Sequence, residues 1–364
     1  MGLAKMVLTA MLSICNLFRF LTPIKANKIT FISMTADHLE HDFLALARCL
    51  KKRGGYDLHY NLIVFKKGML DDFRYMLNCF RQLYEINTSK LIILNDNNFV
   101  VTKFKRKGTY VLQTWHACGA IKKFGNAIKR EYPIKNYDYV IANSVYWKVP
   151  YQEAFNVNKE NVVVTGMPRV DHLVDQNYIE KTKLKLLNKY PLLKNKRVIL
   201  YAPTFRGNIY QGMKSVDFDA KKLLDRLNDQ YVLVYKLHPL LLDVPITDDQ
   251  RIINLNHEDT HDLFTISDML ISDFSSIIFD YSFFNKPMYF FVPDLDEYLS
   301  TLGCFVDYQK IMPGAICLNE NQLADAIIVN KQYDIEAFSK MFFKYHDGKN
   351  IERVVELIKK VRHE

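Results

Sequence analysis

Short apolar runs alternate with amphipathic stretches along nearly the whole chain. The runs Lys28–Ser33, Tyr60–Phe65, Lys90–Asn95, Thr109–Thr114, Tyr137–Asn143 and Val162–Thr165 read as buried strands. Between most of them lie stretches with helical spacing, among them His41–Arg53, Met69–Ile86 and Val145–Phe155. This βαβ rhythm predicts a parallel sheet with helices on both faces. Val170–Tyr190 follows as a charged helical connector that stops at Pro191. A second series then begins, with strands predicted at Arg197–Tyr201, Tyr231–Leu237, Arg251–Asn254, Asp268–Ser272 and Pro287–Val292. The expected architecture is α/β, with one doubly wound domain over 26–190 and another over 191–364, and a cleft where they join. The last helical pattern, Ile351–Arg362, is a candidate to pack back on the first domain.

Residues 1–25 stand apart. Met6–Leu21 is apolar except for Thr9, Ser13, Asn16 and Arg19, which fall on one narrow helical stripe. Lys5, Arg19, Lys25 and Lys28 flank or punctuate the run. It is short for a bilayer span, which needs about 20 apolar residues. A helix lying in the membrane surface fits the stripe and the basic flanks. The rival readings are a signal peptide, for which Thr22-Pro23-Ile24-Lys25-Ala26 is a poor cleavage site, and a core helix.

Composition adds little until charge is considered. The formal net charge is +9, with basic clusters at Lys103, Lys105, Arg106 and Lys107 and at Lys122, Lys123, Lys129 and Arg130. Such a surface suits anionic lipid or an anionic substrate, or is simply a solvated face. Nucleic acid is the weakest candidate, because no zinc-finger spacing, helix-turn-helix signal or RNP-like aromatic motif is present. The cysteines Cys15, Cys49, Cys79, Cys118, Cys304 and Cys317 form no Cys-x-x-Cys pair and no cluster with zinc spacing, so a reducing compartment is expected. Cys118 lies beside His116, but side chains two apart on a turn need not meet to form a nucleophilic pair.

Candidate chemistry sits at four predicted strand ends: Gln113–Ala120, Ala202–Arg206, Lys236–Pro239 and Ser272–Asp280. In open α/β sheets, ligands bind outside the carboxyl ends of the strands. Ser275 and Ser276 open a predicted helix over Ile277–Phe284, where hydroxyls and free backbone N–H groups suit an anion, or serve as plain caps. Arg206 can grip a phosphate with two parallel hydrogen bonds. His238 can donate to a phosphate oxygen or act as an acid. His116, followed by a helical pattern over Ala120–Lys129, is a general-base candidate or a structural hydrogen bonder. No Gly-x-x-x-x-Gly-Lys or Gly-x-Gly-x-x-Gly loop occurs, which argues against P-loop and dinucleotide folds.

At these residues the chain resembles the CDP-glycerol glycerophosphotransferase family of teichoic acid synthesis, from about Asn27 to about Leu318. The similarity rests on Trp115–Gly125, Thr165-Gly166-Met167-Pro168-Arg169-Val170-Asp171, Pro203-Thr204-Phe205-Arg206, His238-Pro239, Ser272-Asp273-Phe274-Ser275-Ser276 through Asp280, and Pro313-Gly314. The resemblance implies a two-domain GT-B fold, a CDP-glycerol donor and peripheral attachment to the cytoplasmic face of the cell membrane. No cofactor is expected and no metal-ligating residue is assigned. His116 becomes the expected base; Arg206, His238, Ser275 and Ser276 the expected holders of the donor phosphates, with His238 also a catalytic candidate; and Asp280 the expected ribose contact. His116-Ala117-Cys118-Gly119 replaces the His-Gly-Thr-Pro of the long-chain polymerases. Together with the lack of a long N-terminal extension, this resembles the enzymes that add the first glycerol phosphate to an undecaprenyl-linked disaccharide. A CDP-ribitol donor, a polymerising activity and a nucleotide-sugar glycosyltransferase are the alternatives.

Overall fold

The computed structural model describes residues 3–64, 68–208, 212–237, 241 and 246–363. The chain divides into two compact units. The first comprises Met1–His116, Phe124–Asp171 and Phe343–Glu364; the second comprises Ala117–Lys123 and His172–Phe342.

In the first unit the strands are β1 (Lys25–Ser33), β2 (Asp57–Leu62), β3 (Ser89–Leu94), β4 (Tyr110–Gln113), β5 (Tyr139–Ala142) and β6 (Val162–Val164). They form one sheet in the order β2-β1-β3-β4-β5-β6, and every pair is parallel. Ile29, Phe31, Ile32 and Leu91–Leu94 are fully buried, as expected for strands covered on both faces. The helices are α1 (Leu3–Asn16), α2 (His41–Arg53), α3 (Met69–Thr88), α4 (Phe99–Phe104) and α5 (Lys148–Phe155). The C-terminal helix Asn350–His363 also belongs to this unit, and Glu356 on it meets Arg53 of α2 at 2.9 Å.

Basic residues that look like surface charge in the sequence are partly structural here. Lys28 is buried and ion-paired with Glu85 at 2.7 Å. Lys105 pairs with Asp138, and Arg106 donates to the carbonyls of Arg19, Thr22 and Asn87.

The second unit repeats the design with β7 (Arg197–Tyr201), β8 (Arg206–Asn208), β9 (Gly212–Lys214), β10 (Tyr231–Tyr235), β11 (Ile252–Asn254), β12 (Met269–Ser272), β13 (Met288–Phe291) and β14 (Gly314–Cys317). Its parallel sheet runs β11-β10-β7-β12-β13-β14. Strands β8 and β9 form a separate antiparallel pair. The helices are α6 (Gln176–Lys189), α7 (Ala220–Arg226), α8 (Thr260–Ile266), α9 (Ile277–Tyr281), α10 (Leu295–Leu302), α11 (Tyr308–Ile311), α12 (Glu320–Val329) and α13 (Ile335–Phe342). The strand order changes direction between β7 and β12, so the crevice at the carboxyl ends of those two strands is where such a sheet takes a ligand.

The expected helix over Ala120–Lys129 is not formed; only a 3₁₀ turn, Gly125–Ala127, lies within it. The backbone groups of this stretch are used elsewhere. Lys123 N donates to Gly303 O at 3.1 Å, and Ile121 O accepts from Phe305 N at 2.8 Å. Gly125 has φ +62°, outside the helical region, and a Cβ on it would lie 2.2 Å from Ala154 O.

Candidate active site

The first unit builds the surroundings of His116 from two strand ends and a loop. Strand β4 ends at Gln113, whose side chain donates to Asp96 O and accepts from Trp115 N. Trp115 then takes φ +60°, a conformation rare for a bulky side chain, and its ring stacks on Phe124 at 4.3 Å and lies 3.8 Å from the His116 ring. His116 is exposed, with Nδ1 2.9 Å from Asn95 O. A carbonyl can only accept, so Nδ1 carries the proton in the neutral ring and the lone pair sits on Nε2. That tautomer is the one a general base needs.

Two residues set this loop beyond what sequence reading singled out. Arg169 donates through Nη1 to His116 O at 2.7 Å. Its backbone N reaches Asp42 Oδ1 at 2.7 Å, and its Nε reaches Asp42 Oδ2 at 2.5 Å. Asp42 is 1% exposed. Arg169 therefore ties the base loop to a buried carboxylate on α2. Asp171, two residues on, accepts from Asn350 N and Ile351 N at the start of the C-terminal helix, and burial pushes its pKa up to about 6. Asp96, beside Asn95, is buried and pushed up to about 7 for the same reason. Only the quoted Gly166–Asp171 motif hinted at Arg169; nothing in the sequence pointed to Asp42 or Asn95.

In the second unit, Arg206 follows β7 and Ser275–Ser276 follow β12, so both flank the crevice where the strand order reverses. Arg206 lies in a carboxylate clamp. Its Nε and Nη2 meet Asp294 at 2.5 and 3.0 Å, and its Nη1 meets Asp273 at 2.8 Å. Burial works against the charged guanidinium, yet these partners hold its pKa above the ordinary arginine value. Asp273 is 1% exposed and also accepts from Thr204 N at 2.8 Å, tying the two loops together. Removing Arg206 would strand Asp273, so Arg206→Ala is expected to cost about 3–5 kcal/mol of stability. A thermal melt within a degree of the parent would contradict that.

Ser275 and Ser276 are partly buried ahead of the five-residue α9. Among the described residues, Ser276 makes no side-chain cap and Ser275 Oγ accepts a 3.5 Å contact from Ile277 N. Asp280 is held by His261, with Nε2 3.0 Å from Oδ2. His261 Nδ1 in turn lies 3.1 Å from His172 Nε2. Asp280 Oδ1 is buried without a partner among the described residues. His238 and Pro239 lie outside the described residues.

A cavity of about 660 Å³ opens in this unit, walled in part by Lys122, Phe205, Arg206, Ser215, Asp294 and Tyr298. Ser275, Ser276 and Asp280 are not among its described lining residues. Among the described residues, no group of three or more His, Cys, Asp or Glu is placed to hold a metal ion.

The family model for CDP-glycerol:poly(glycerophosphate) glycerophosphotransferases matches residues 14–360. The chain belongs to this family. It is 32% identical over 363 residues to a teichoic acid ribitol-phosphate primase of Bacillus spizizenii, a match covering 94% of this chain and 93% of the relative. It is 31% identical to a teichoic acid glycerol-phosphate primase of Bacillus subtilis, covering 78% and 76%. The chain is thus one of the glycerol- and ribitol-phosphate transferases of teichoic acid synthesis. The solved structure of the wall teichoic acid polymerase TagF is 23% identical, with a TM-score of 0.74 and coverage of 96% and 93%. The fold is of the GT-B type, with two Rossmann-like units.

Proposed function

We propose that the chain transfers an alditol phosphate from a CDP-alditol to a hydroxyl of a lipid-linked disaccharide, releasing CMP. The observation that carries the reading is the His116 tautomer, fixed by Asn95 O, within a family of alditol-phosphate transferases. The acceptor oxygen attacks the phosphorus that bears the alditol, and its proton passes to His116 Nε2. The bond from that phosphorus to the oxygen bridging to CMP breaks, and CMP leaves with the electron pair. The second unit binds the donor, with Ser275 and Ser276 facing phosphate oxygens and Asp280 Oδ1 accepting from a ribose hydroxyl. The His172–His261–Asp280 chain holds that carboxylate in place. His238, which lies outside the described residues, is assigned to the phosphates by its motif alone.

The sequence motifs favour CDP-glycerol and a single addition. CDP-ribitol is the second reading, because the match to the ribitol-phosphate primase covers 94% of this chain and 93% of that relative. The test is CMP release from CDP-glycerol and from CDP-ribitol on a lipid-linked disaccharide, with product length read by mass spectrometry. Release of UDP from UDP-sugars, with no CMP from either CDP-alditol, would reject the reading.

The same proposal places the protein on the cytoplasmic membrane face. Ala4–Leu21 is long and apolar enough to cross a membrane, by length and composition only. It folds as α1 followed by a 3₁₀ turn, Leu17–Leu21. Only Leu8 and Leu12 of its apolar residues are buried. Thr9 and Ser13 return their hydroxyls to the carbonyls of Lys5 and Thr9, and Asn16 accepts from Asn87 at 2.9 Å. Met6, Val7, Ile14, Leu17, Phe18, Phe20 and Leu21 are left exposed, and Met69, Leu70, Phe73 and Leu77 on α3 are exposed as well. Such a face suits the lipid interface. Leu17→Ser with Phe20→Ser is expected to lower co-sedimentation with anionic vesicles by at least about tenfold, since each buried side chain contributes about 1.5–3 kcal/mol. The assay is run in salt that shortens the Debye length to roughly 5 Å. Undiminished sedimentation would show that this face is not the anchor.

A further inference from the structure

We propose that Lys122 is the cation that receives the donor's diphosphate in the second unit, and that Arg206 serves to build the wall beside it. This rests on the CDP-alditol reading above. Residues Ala117–Lys123 follow His116 directly but belong to the second unit, where they pair with Gly303–Phe305. Lys122 thereby reaches the 660 Å³ cavity. Its Nζ lies 5.0 Å from the Tyr298 ring centroid and 5.5 Å from that of Phe205, and it donates to Thr204 Oγ1 at 3.4 Å.

Lys122 and Arg206, two of the three cations of this wall beside the exposed Lys214, differ in what is left for a ligand. Arg206 spends three N–H groups on Asp273 and Asp294. Lys122 has no carboxylate oxygen within 4.0 Å among the described residues. An ammonium held against aromatic faces without a paired anion is costly to desolvate, and a charged oxygen entering the cavity offsets that cost. A second group in the wall is also unsatisfied: Tyr298 is 6% exposed, stacked on Phe274 at 3.7 Å, and its hydroxyl has no partner among the described residues. A cavity of this size suits a nucleotide-sized ligand, and these two donors suit an anionic one.

The position of Lys122 also sets a pH signature. Burial lowers its pKa to about 8. The other ionisable groups around it are Arg206, Asp273, Asp294 and Cys304, with Asp217, Glu297 and Lys214 also in the cavity wall. Burial pushes the Cys304 thiol up and raises Asp273 above the ordinary carboxylate value. The ammonium form is present below about pH 8 and is lost above it, so anion affinity falls as pH rises through that value.

Calorimetry with CDP-glycerol, CDP-ribitol and cytidine tests this on the full chain. Lys122→Met is expected to weaken the bound CDP-alditol by about 10- to 100-fold, the worth of one charge-assisted hydrogen bond. Cytidine, which carries no phosphate, should bind the variant as it binds the parent. Lys122→Arg should keep affinity within about threefold and abolish its fall above pH 8, because guanidinium stays charged. If Lys122→Met does not fold, the pH profile of Lys122→Arg decides alone. Equal CDP-alditol affinity in parent and Met variant, or the same pH dependence in parent and Arg variant, overturns the assignment. A parent that binds neither CDP-alditol rejects the donor reading itself and is thereby told apart.

Discussion

His116→Ala is expected to lower alditol-phosphate transfer by about 10²- to 10⁴-fold, the usual contribution of a general base. The donor should bind almost as before, because His116 belongs to the first unit and its ring bonds to Asn95 O of that unit. The measurement is single-turnover CMP release beside calorimetric donor affinity. A base also leaves a limb in the pH–rate profile, since only the neutral ring accepts a proton. His116→Gln keeps a donor for the Asn95 carbonyl but has no basic nitrogen. It should therefore fold like the parent, be as slow as the alanine variant and lack the acidic limb. Turnover near the parent's in either variant would remove His116 from the base role and leave the proton to another group.

The parts of this site that could be read from sequence are those that depend on local pattern. Buried strands announce themselves as apolar runs, and His116, Arg206 and Ser275 stand just beyond such runs. Strand β14 was not anticipated, because Gly314-Ala315-Ile316-Cys317 is short and opens on glycine. The β8–β9 pair was not anticipated either, because Arg206-Gly207-Asn208 carries no apolar alternation. The Ala120–Lys129 stretch has helical spacing, but its backbone bonds go to residues 303–305, a choice made by tertiary contacts that no window of sequence contains.

The same holds for charge. Asp273 and Asp294 lie 67 and 88 residues beyond Arg206, so the clamp that occupies this arginine was not legible. Lys122 reads as one member of a basic cluster, yet it faces a cavity. Sequence thus located the strand ends that carry chemistry but not which charges there are already neutralised.

Arg169 gives the second large effect, and it separates stability from positioning. Arg169→Ala takes the guanidinium away from buried Asp42 and leaves the carboxylate the backbone N–H of residue 169 as its donor among the described residues. Breaking such a pair costs about 3–5 kcal/mol, so the melting transition should fall by several degrees. Lys at this position keeps a positive charge near Asp42, but one ammonium cannot copy the fork that serves both Asp42 and His116 O. Arg169→Lys should therefore recover much of the lost stability while kcat stays low, since a base displaced by about 1 Å can cost roughly 10²-fold. The donor KM should hardly move, because Arg169 and His116 both belong to the first unit. A variant with restored melting and full kcat would mean that the bond to His116 O is structural only. A kcat that stays low at parental melting temperature would show that the orientation of His116, and not the folding of its loop alone, depends on this guanidinium.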